Sequence, residues 1–506
     1  MSSSQVGAAA EPSLERELAP HRAPPSGTPA PPSGVGLAYV SLLALSVGSV
    51  LLIGAGRVRD QSYWGDEAVT AAIVRRPLGG LVRVLWSQEA GMGPYYAALW
   101  VWGRAFGGDA GLRMFSVVGM AVVVAFAFDL TWRWFGGAEA VAVSAVLIAH
   151  PFALRYLVEL RAYSWMMALG VGLVWVVDRW WQNPTSAWTV CVGVVAGLLA
   201  AIHIAAILFV VAIAIAVVTT VKKDIWFNRR SLVIAAITAA AFASSVPALL
   251  ARKGQIDWIA AVSPSNLVEV VEKFLGGGWW AIFLGTGLLL FGMGASRASR
   301  WQVAVLLAGT ILTPVLVALL SVVQSLWIPR YLAPAFALAV IAAVAGCSGI
   351  WRRIAARWPG AQCTSGLVSA TIATVALGTL VVAGPFRDDS PNRDGMRSAV
   401  AYVTGQLQPG DLVLASDQEH MPLYHYLGLR EDVVPSFLIV PDGNRLYPVE
   451  ADVNDIADRL RAAPRIFVVR NAGRSIDRDI IATFDGWDQE THRFGRVSVE
   501  TFERVS

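Results

Sequence analysis

The chain has 506 residues, 56% of them hydrophobic and only 15% charged, with a mean hydropathy of +0.56. So much apolar surface exceeds what one soluble core can bury, which excludes an ordinary soluble fold and predicts an all-α polytopic membrane protein. The formal net charge of +4 is mild and fits Arg and Lys gathered in cytoplasmic loops, not a nucleic-acid-binding surface.

Residues 1–34 carry seven prolines among many Ser and Ala, without apolar periodicity, and are expected to form a disordered cytoplasmic tail. They contain no hydrophobic signal-peptide core, so the first span is expected to stay attached. Over 35–385, runs of roughly 20 apolar residues begin near Gly36, Gly111, Ala138, Tyr163, Ala187, His203, Ser231, Gly278, Trp301, Ile328 and Gly366. The Trp- and Tyr-rich run 94–106 is about half to two-thirds of a span and reads as a helix that dips into the interface or lies along it.

Lys and Arg concentrate in cytoplasmic loops, which fixes the sidedness. With the N-terminus inside and 94–106 not crossing, four basic groups fall inside: Arg133; Lys222, Lys223, Arg229 and Arg230; Arg297 and Arg300; and Arg352, Arg353 and Arg357. The same parity places Asp66, Glu67, the stretch from Glu159 to Arg161, the loop 252–273, Arg330 and all of 386–506 outside, and it requires an odd number of spans, about 11 to 13. After Pro385 the composition turns polar and no further span follows. Residues 386–506 therefore read as a small extracytoplasmic α/β domain. Its predicted elements are helices at 394–407 and 451–463 and strands at 411–415, 433–440 and 465–469, the first strand following the turn pair Pro409 and Gly410.

Four groups of polar residues then fall on the outer side. Asp66 and Glu67 sit between Tyr63, Trp64, Gly65 and Ala68 in the first outer loop, 57–93. Paired carboxylates at a membrane surface suit chemistry on a lipid-borne substrate, and they equally suit a helix start, where negative charge is favourable. Glu89 stands just before Gly91, Gly93 and Pro94, small residues that permit close backbone approach to a ligand. Arg155, Glu159 and Arg161 interrupt an apolar stretch, where an ionisable group costs at least ~2.5 kcal/mol near the membrane centre and so pairs or serves function. Glu159 lies four residues after Arg155, on the same helix face. Arg330, between Pro329 and Tyr331, can grip a phosphate bidentately or snorkel as an interfacial anchor, and Arg113 presents the same choice. The three cysteines and six histidines show no metal-ligand spacing, and His420 and His425 are given no role. A dinucleotide fingerprint and a phosphate loop are both missing.

In this order the motifs resemble the polytopic glycosyltransferases of the C superfold (GT-C), especially actinobacterial mannosyltransferase-like proteins related to protein O-mannosyltransferases and the lipid A aminoarabinose transferase. Trp64, Gly65, Asp66, Glu67 and Ala68 resemble the family's acidic motif, and Tyr95 with Tyr96 its Pro-Leu-Tyr-Tyr segment. Glu159, Leu160, Arg161 and Tyr163 are similar to a Glu-Ala-Arg-x-Tyr motif. Pro329, Arg330, Tyr331 and Leu332 are similar to a late Arg-Tyr-Leu motif, and Pro409, Gly410 and Asp411 match a turn of the outer domain.

The resemblance implies inverting transfer of a sugar, mannose first and arabinose next, from a polyprenyl-phosphate donor to a cell-envelope glycan, glycolipid or protein on the outer face. Asp66 corresponds to the catalytic base, with Glu67 beside it. Glu89, Tyr95, Tyr96, Glu159, Arg161, Tyr163, Arg330 and Tyr331 fall to the donor's phosphate or sugar. A divalent cation is left open. Gly91, Met92, Gly93 and Pro94 replace the His-Pro-Pro of many relatives, so that histidine's role does not carry over. The competing class, a transporter or lipid flippase, predicts repeated halves and midplane charges, whereas these charges gather at span ends on one side.

Overall fold

The computed structural model describes residues 33–59, 61–86, 90–220, 229–243, 246, 259–294, 298–357, 365–382, 395–415, 420–427, 438–439, 449–450, 460–471 and 486–504. Glu89, Lys222, Lys223 and Arg297, the tail through residue 32, most of the 433–440 strand and most of the 451–463 helix lie outside these residues.

Helices α1 (Ser33–Arg57), α2 (Gly65–Val74), α3 (Leu78–Val84), α4 (Gly93–Ala105) and α5 (Gly108–Trp134) follow one another along the first part of the chain. Next come α6 (Gly137–Ala149), α7 (Pro151–Leu157), α8 (Tyr163–Gln182), α9 (Ser186–Ile202), α10 (Ala206–Thr220) and α11 (Arg229–Ala243). After these are α12 (Pro264–Phe274), α13 (Gly278–Gly294), α14 (Arg300–Leu307) and α15 (Thr313–Leu320), the last two joined by the π-turn Ala308–Leu312. A 3₁₀ segment, Pro329–Ala335, leads into α16 (Phe336–Ala355), and α17 (Ser365–Val382) follows.

Each of the eleven apolar runs is helical, yet the helices differ in length. Among the described residues four are long and apolar enough to cross a membrane, Gly36–Arg57, Gly108–Trp134, Arg300–Leu320 and Pro329–Ala355, or six if each of two bent pairs counts as one span. The chain is thus a multi-pass membrane protein. The 13 residues of α4 extend only about 20 Å at ~1.5 Å per residue, short of a bilayer core.

The bends have local causes. Pro151 drives His150 out of helical geometry, to ψ 133°, and α6 and α7 meet at 63°. The His150 ring caps the break: Nδ1 accepts from the Phe152 N–H at 3.1 Å and Nε2 donates to the Leu275 carbonyl at 3.0 Å. Gly276, Gly277 and Gly278 all take positive φ, which side-chain-bearing residues avoid, and α12 meets α13 there at 90°.

Almost every residue of α16 from Phe336 to Ala345 is fully buried, so this helix runs through the core and not along its lipid-facing rim. Gly170 of α8 lets the 3₁₀ segment approach closely, because a Cβ there would come within 2.3 Å of the Pro334 carbonyl oxygen. That approach brings Arg330 to the end of α8 where Arg161 and Tyr163 lie.

The C-terminal region contains α18 (Met396–Gln406), β1 (Leu412–Ala415), α19 (His420–Leu427), β2 (Leu438–Ile439), β3 (Val449–Glu450), β4 (Arg465–Asn471), β5 (Trp487–Phe494) and β6 (Val497–Arg504). Four strands form one sheet in the order β1-β4-β6-β5, with β1 and β4 parallel and the other pairs antiparallel; β2 and β3 pair separately. Alternation divides the sheet's side chains: Val413, Phe467, Val469, Val497 and Val499 pack with α18 and Leu423, whereas Leu412, Leu414, Ile466, Val468 and Phe502 pack with Leu460. The β5–β6 hairpin was not expected from sequence. Its first strand is largely exposed and interleaves charges, which hides the period-two signal.

Candidate active site

Asp66 lies in the first turn of α2, beside Glu67, and the two carboxylates enter different surroundings. Glu67 has no exposed side-chain surface, and neither does its partner Arg113. Arg113 Nε donates to Glu67 Oε1 at 3.0 Å and Nη2 to Oε2 at 2.7 Å, a two-toothed grip. Leu160 N–H donates to Oε1 at 2.8 Å, and Trp64 N–H to Oε2 at 3.4 Å. Arg113 also donates to the carbonyls of Val58 at 3.4 Å, Gln61 at 2.6 Å and Ser62 at 3.0 Å. It is therefore neither a snorkelling anchor nor an open phosphate grip. The pair ties α2, the loop before it, α5 and the α7–α8 connection together.

Asp66 turns the other way. Its side chain is 34% exposed, and Oδ2 stands 3.7 Å from Arg161 Nη2 and 3.5 Å from Arg330 Nη1. The two guanidiniums are held by their own neighbours. Arg161 Nη1 donates to Tyr96 Oη and to Thr70 Oγ1, each at 3.3 Å, while the Thr70 hydroxyl donates to the Asp66 carbonyl at 2.8 Å. Arg330 lies over the Tyr163 ring, 5.8 Å from its centroid. Tyr331 is buried and its ring packs 4.5 Å from His203. Tyr95, also buried, meets Tyr96 edge to face at 5.5 Å, and its hydroxyl makes no hydrogen bond among the described residues.

Of the site residues expected from sequence, the fold thus sets the partly exposed Asp66 beside Arg161 and Arg330, with Tyr96 bonded to Arg161 and Tyr163 under Arg330, while Tyr95 packs on Tyr96 and Tyr331 on His203. Glu67 is set back, with both oxygens engaged. Glu159 is also set back: its side chain is buried 4.0 Å from Arg155, and its carbonyl accepts from the Ser116 hydroxyl at 2.6 Å and the Arg161 N–H at 2.7 Å. Among the described residues no group of three or more His, Cys, Asp or Glu side chains is gathered to hold a metal ion.

A second polar cluster, on Asp109, gave no sequence signal. Arg75 and His425 Nε2 each reach Asp109 Oδ1 at 3.0 Å, and Arg397 reaches Oδ2 at 3.1 Å. Tyr63 Oη donates to the Asp109 carbonyl at 3.1 Å, and burial pushes its phenol far above the usual tyrosine range, so it stays a donor. The Tyr63 N–H donates to Tyr426 Oη at 2.7 Å and the Arg397 N–H to Ser62 Oγ at 3.1 Å. Through these bonds α18 and α19 seat directly on the residues that precede Asp66.

No protein-family model matches the chain, and no curated protein sequence does. Solved structures do match. ArnT from Cupriavidus metallidurans in the apo state aligns with a TM-score of 0.59 at 13% identity, covering 93% of this chain and 98% of ArnT. The same protein bound to undecaprenyl phosphate aligns at 0.56 and 14% identity, covering 92% and 98%. The oligosaccharyltransferase AglB from Archaeoglobus fulgidus, in complex with an inhibitory peptide and a dolichol-phosphate, aligns at 0.55 and 12% identity, covering 87% of this chain and 70% of AglB. The chain has the polytopic fold of these proteins, the GT-C fold that the order of its motifs resembles.

Proposed function

We propose that the protein is a membrane glycosyltransferase that moves a sugar from a polyprenyl phosphate to a cell-envelope acceptor at the extracytoplasmic face, with the N-terminal tail cytoplasmic and the 386–506 domain outside. Mannose is the first candidate sugar and arabinose the second. The observation that carries this reading is the meeting of Asp66, Arg161 and Arg330, where one partly exposed carboxylate faces two guanidiniums at 3.5 and 3.7 Å without closing a tight ion pair. Support comes also from the fold shared with ArnT and AglB, whose structures hold undecaprenyl phosphate and a dolichol-phosphate.

In this reading the acceptor hydroxyl attacks the anomeric carbon and gives its proton to Asp66. The bond from that carbon to the phosphate oxygen breaks, and the oxygen leaves with the electron pair. Arg161 and Arg330 bear the charge that grows on the departing phosphate, so no separate acid is needed to protonate it. Thr70 and Tyr96 hold Arg161 in place, and the Tyr163 ring supports Arg330. Glu67 acts at one remove, locking the α2 turn that presents Asp66. Glu89 stays a proposed sugar or cation contact.

The test is transfer of radiolabelled sugar from a polyprenyl-phosphate donor to a membrane-impermeant acceptor, in sealed right-side-out vesicles. Asp66→Asn is expected to lose about 10²–10⁴ of the rate while inserting normally. Full activity in that variant would remove Asp66 from the chemistry, and transfer only in inverted vesicles would reverse the face.

A further inference from the structure

We infer that His203 is a third donor to the donor lipid's phosphate, beside Arg161 and Arg330; this rests on the reading of the site given above. His203 lies in the short connection between α9 and α10 and is 8% exposed. Its Nδ1 accepts from the Ala205 N–H at 3.3 Å, so in the neutral ring the proton sits on Nε2. Among the described residues Nε2 has no hydrogen-bond partner. The residue as a whole is largely buried, and a donor left without a protein partner in such a place is one that a bound ligand can complete.

The surroundings identify the ligand's chemistry. The His203 ring packs against Tyr331 at 4.5 Å and lies 6.3 Å from Tyr163, the ring that carries Arg330. Arg161 and Arg330 both lie within electrostatic reach of it. An N–H donor without a partner beside two guanidiniums fits an anion with several acceptor oxygens, and a phosphate has the oxygens to engage all three at once. Sequence reading passed over His203 because it sits at the start of an apolar run, without a charged neighbour.

Binding of undecaprenyl phosphate to the full chain in lipid nanodiscs tests this without requiring transfer. His203→Phe keeps the ring contacts and removes the donor, and it is expected to weaken binding about tenfold, as for one lost hydrogen bond to a charged group. His203→Gln places an amide N–H near the position of Nε2 and should recover most of the loss. Equal affinity of wild type and His203→Phe overturns the inference, and so does a Gln variant no better than Phe. Displacement of the lipid by inorganic phosphate at equal concentration would assign the donor to a free-anion site and overturn it too. If the wild-type chain fails to bind the lipid at all, the proposed function falls with it; binding by wild type that is unchanged in His203→Phe sinks only the role of His203.

Discussion

The pair α5 and α8 carries ionic clusters at both ends, and they are built differently. At one end Asp129 Oδ2 accepts from Arg133 Nε at 2.9 Å, Trp175 Nε1 at 2.6 Å and Arg179 at 3.4 Å. Asp178 there accepts from Arg133 at 2.5 Å, Trp134 at 3.1 Å and Gln182 at 2.8 Å. At the other end Asp66 has two cations beyond 3.4 Å and a third of its side chain open. Charge alone does not mark a site. A saturated carboxylate clamps helices, whereas Asp66 keeps part of its surface open beside two cations.

Glu67 tests that distinction most severely, because it is adjacent to Asp66 in sequence but belongs with the saturated kind. Glu67→Gln leaves Arg113 buried without its counter-charge and is expected to cost ~3–5 kcal/mol, seen as a large fall in thermal unfolding temperature in detergent. Stability close to wild type with transfer abolished would instead put Glu67 in the chemistry. Asp178→Asn removes charge-assisted bonds at the opposite end and should cost ~1.5–3 kcal/mol of stability while leaving transfer kinetics unchanged. A fall in transfer rate at intact stability would break the contrast between the two ends. The smallest effect is expected from Arg161→Lys, which keeps the charge but loses the planar fork: KM for the donor lipid should rise about tenfold, ~1.4 kcal/mol, with unfolding unchanged.

Sequence reading singled out Asp66, Arg161 and Arg330 because each is an ionisable residue near aromatics at the end of an apolar run, and the fold sets Asp66 within 4 Å of both arginines. Only the family resemblance separated Asp66 from Glu67; position and residue type did not. Their difference lies in which side of one helical turn meets Arg113, and that partner sits on another helix. The Asp109 cluster was hidden for a similar reason, since Arg75, Arg397 and His425 come from three elements far apart in the chain. Each of the eleven apolar runs that hydropathy picked out contains a helix among the described residues, but hydropathy gave no sign of their unequal lengths. The break at Pro151 and the bend at Gly276 to Gly278 lie within or beside apolar runs, and a sum over apolar residues does not register them.

The sheet order has a consequence in time. Strand β6, the last of the four in the chain, lies inside the sheet between β4 and β5, and α18 packs on it through Val497 and Val499. During synthesis the segments bearing Asp66, Arg161 and Arg330 are made first, and α18 can rest on β1, β4 and α19 but gains its contacts with Val497 and Val499 only with the final strand. The contacts of Arg397 and Ser62 are therefore among the last to become secure. A ribosome stalled before β6 would leave the three charged residues in place with part of the packing under α18 still unmade.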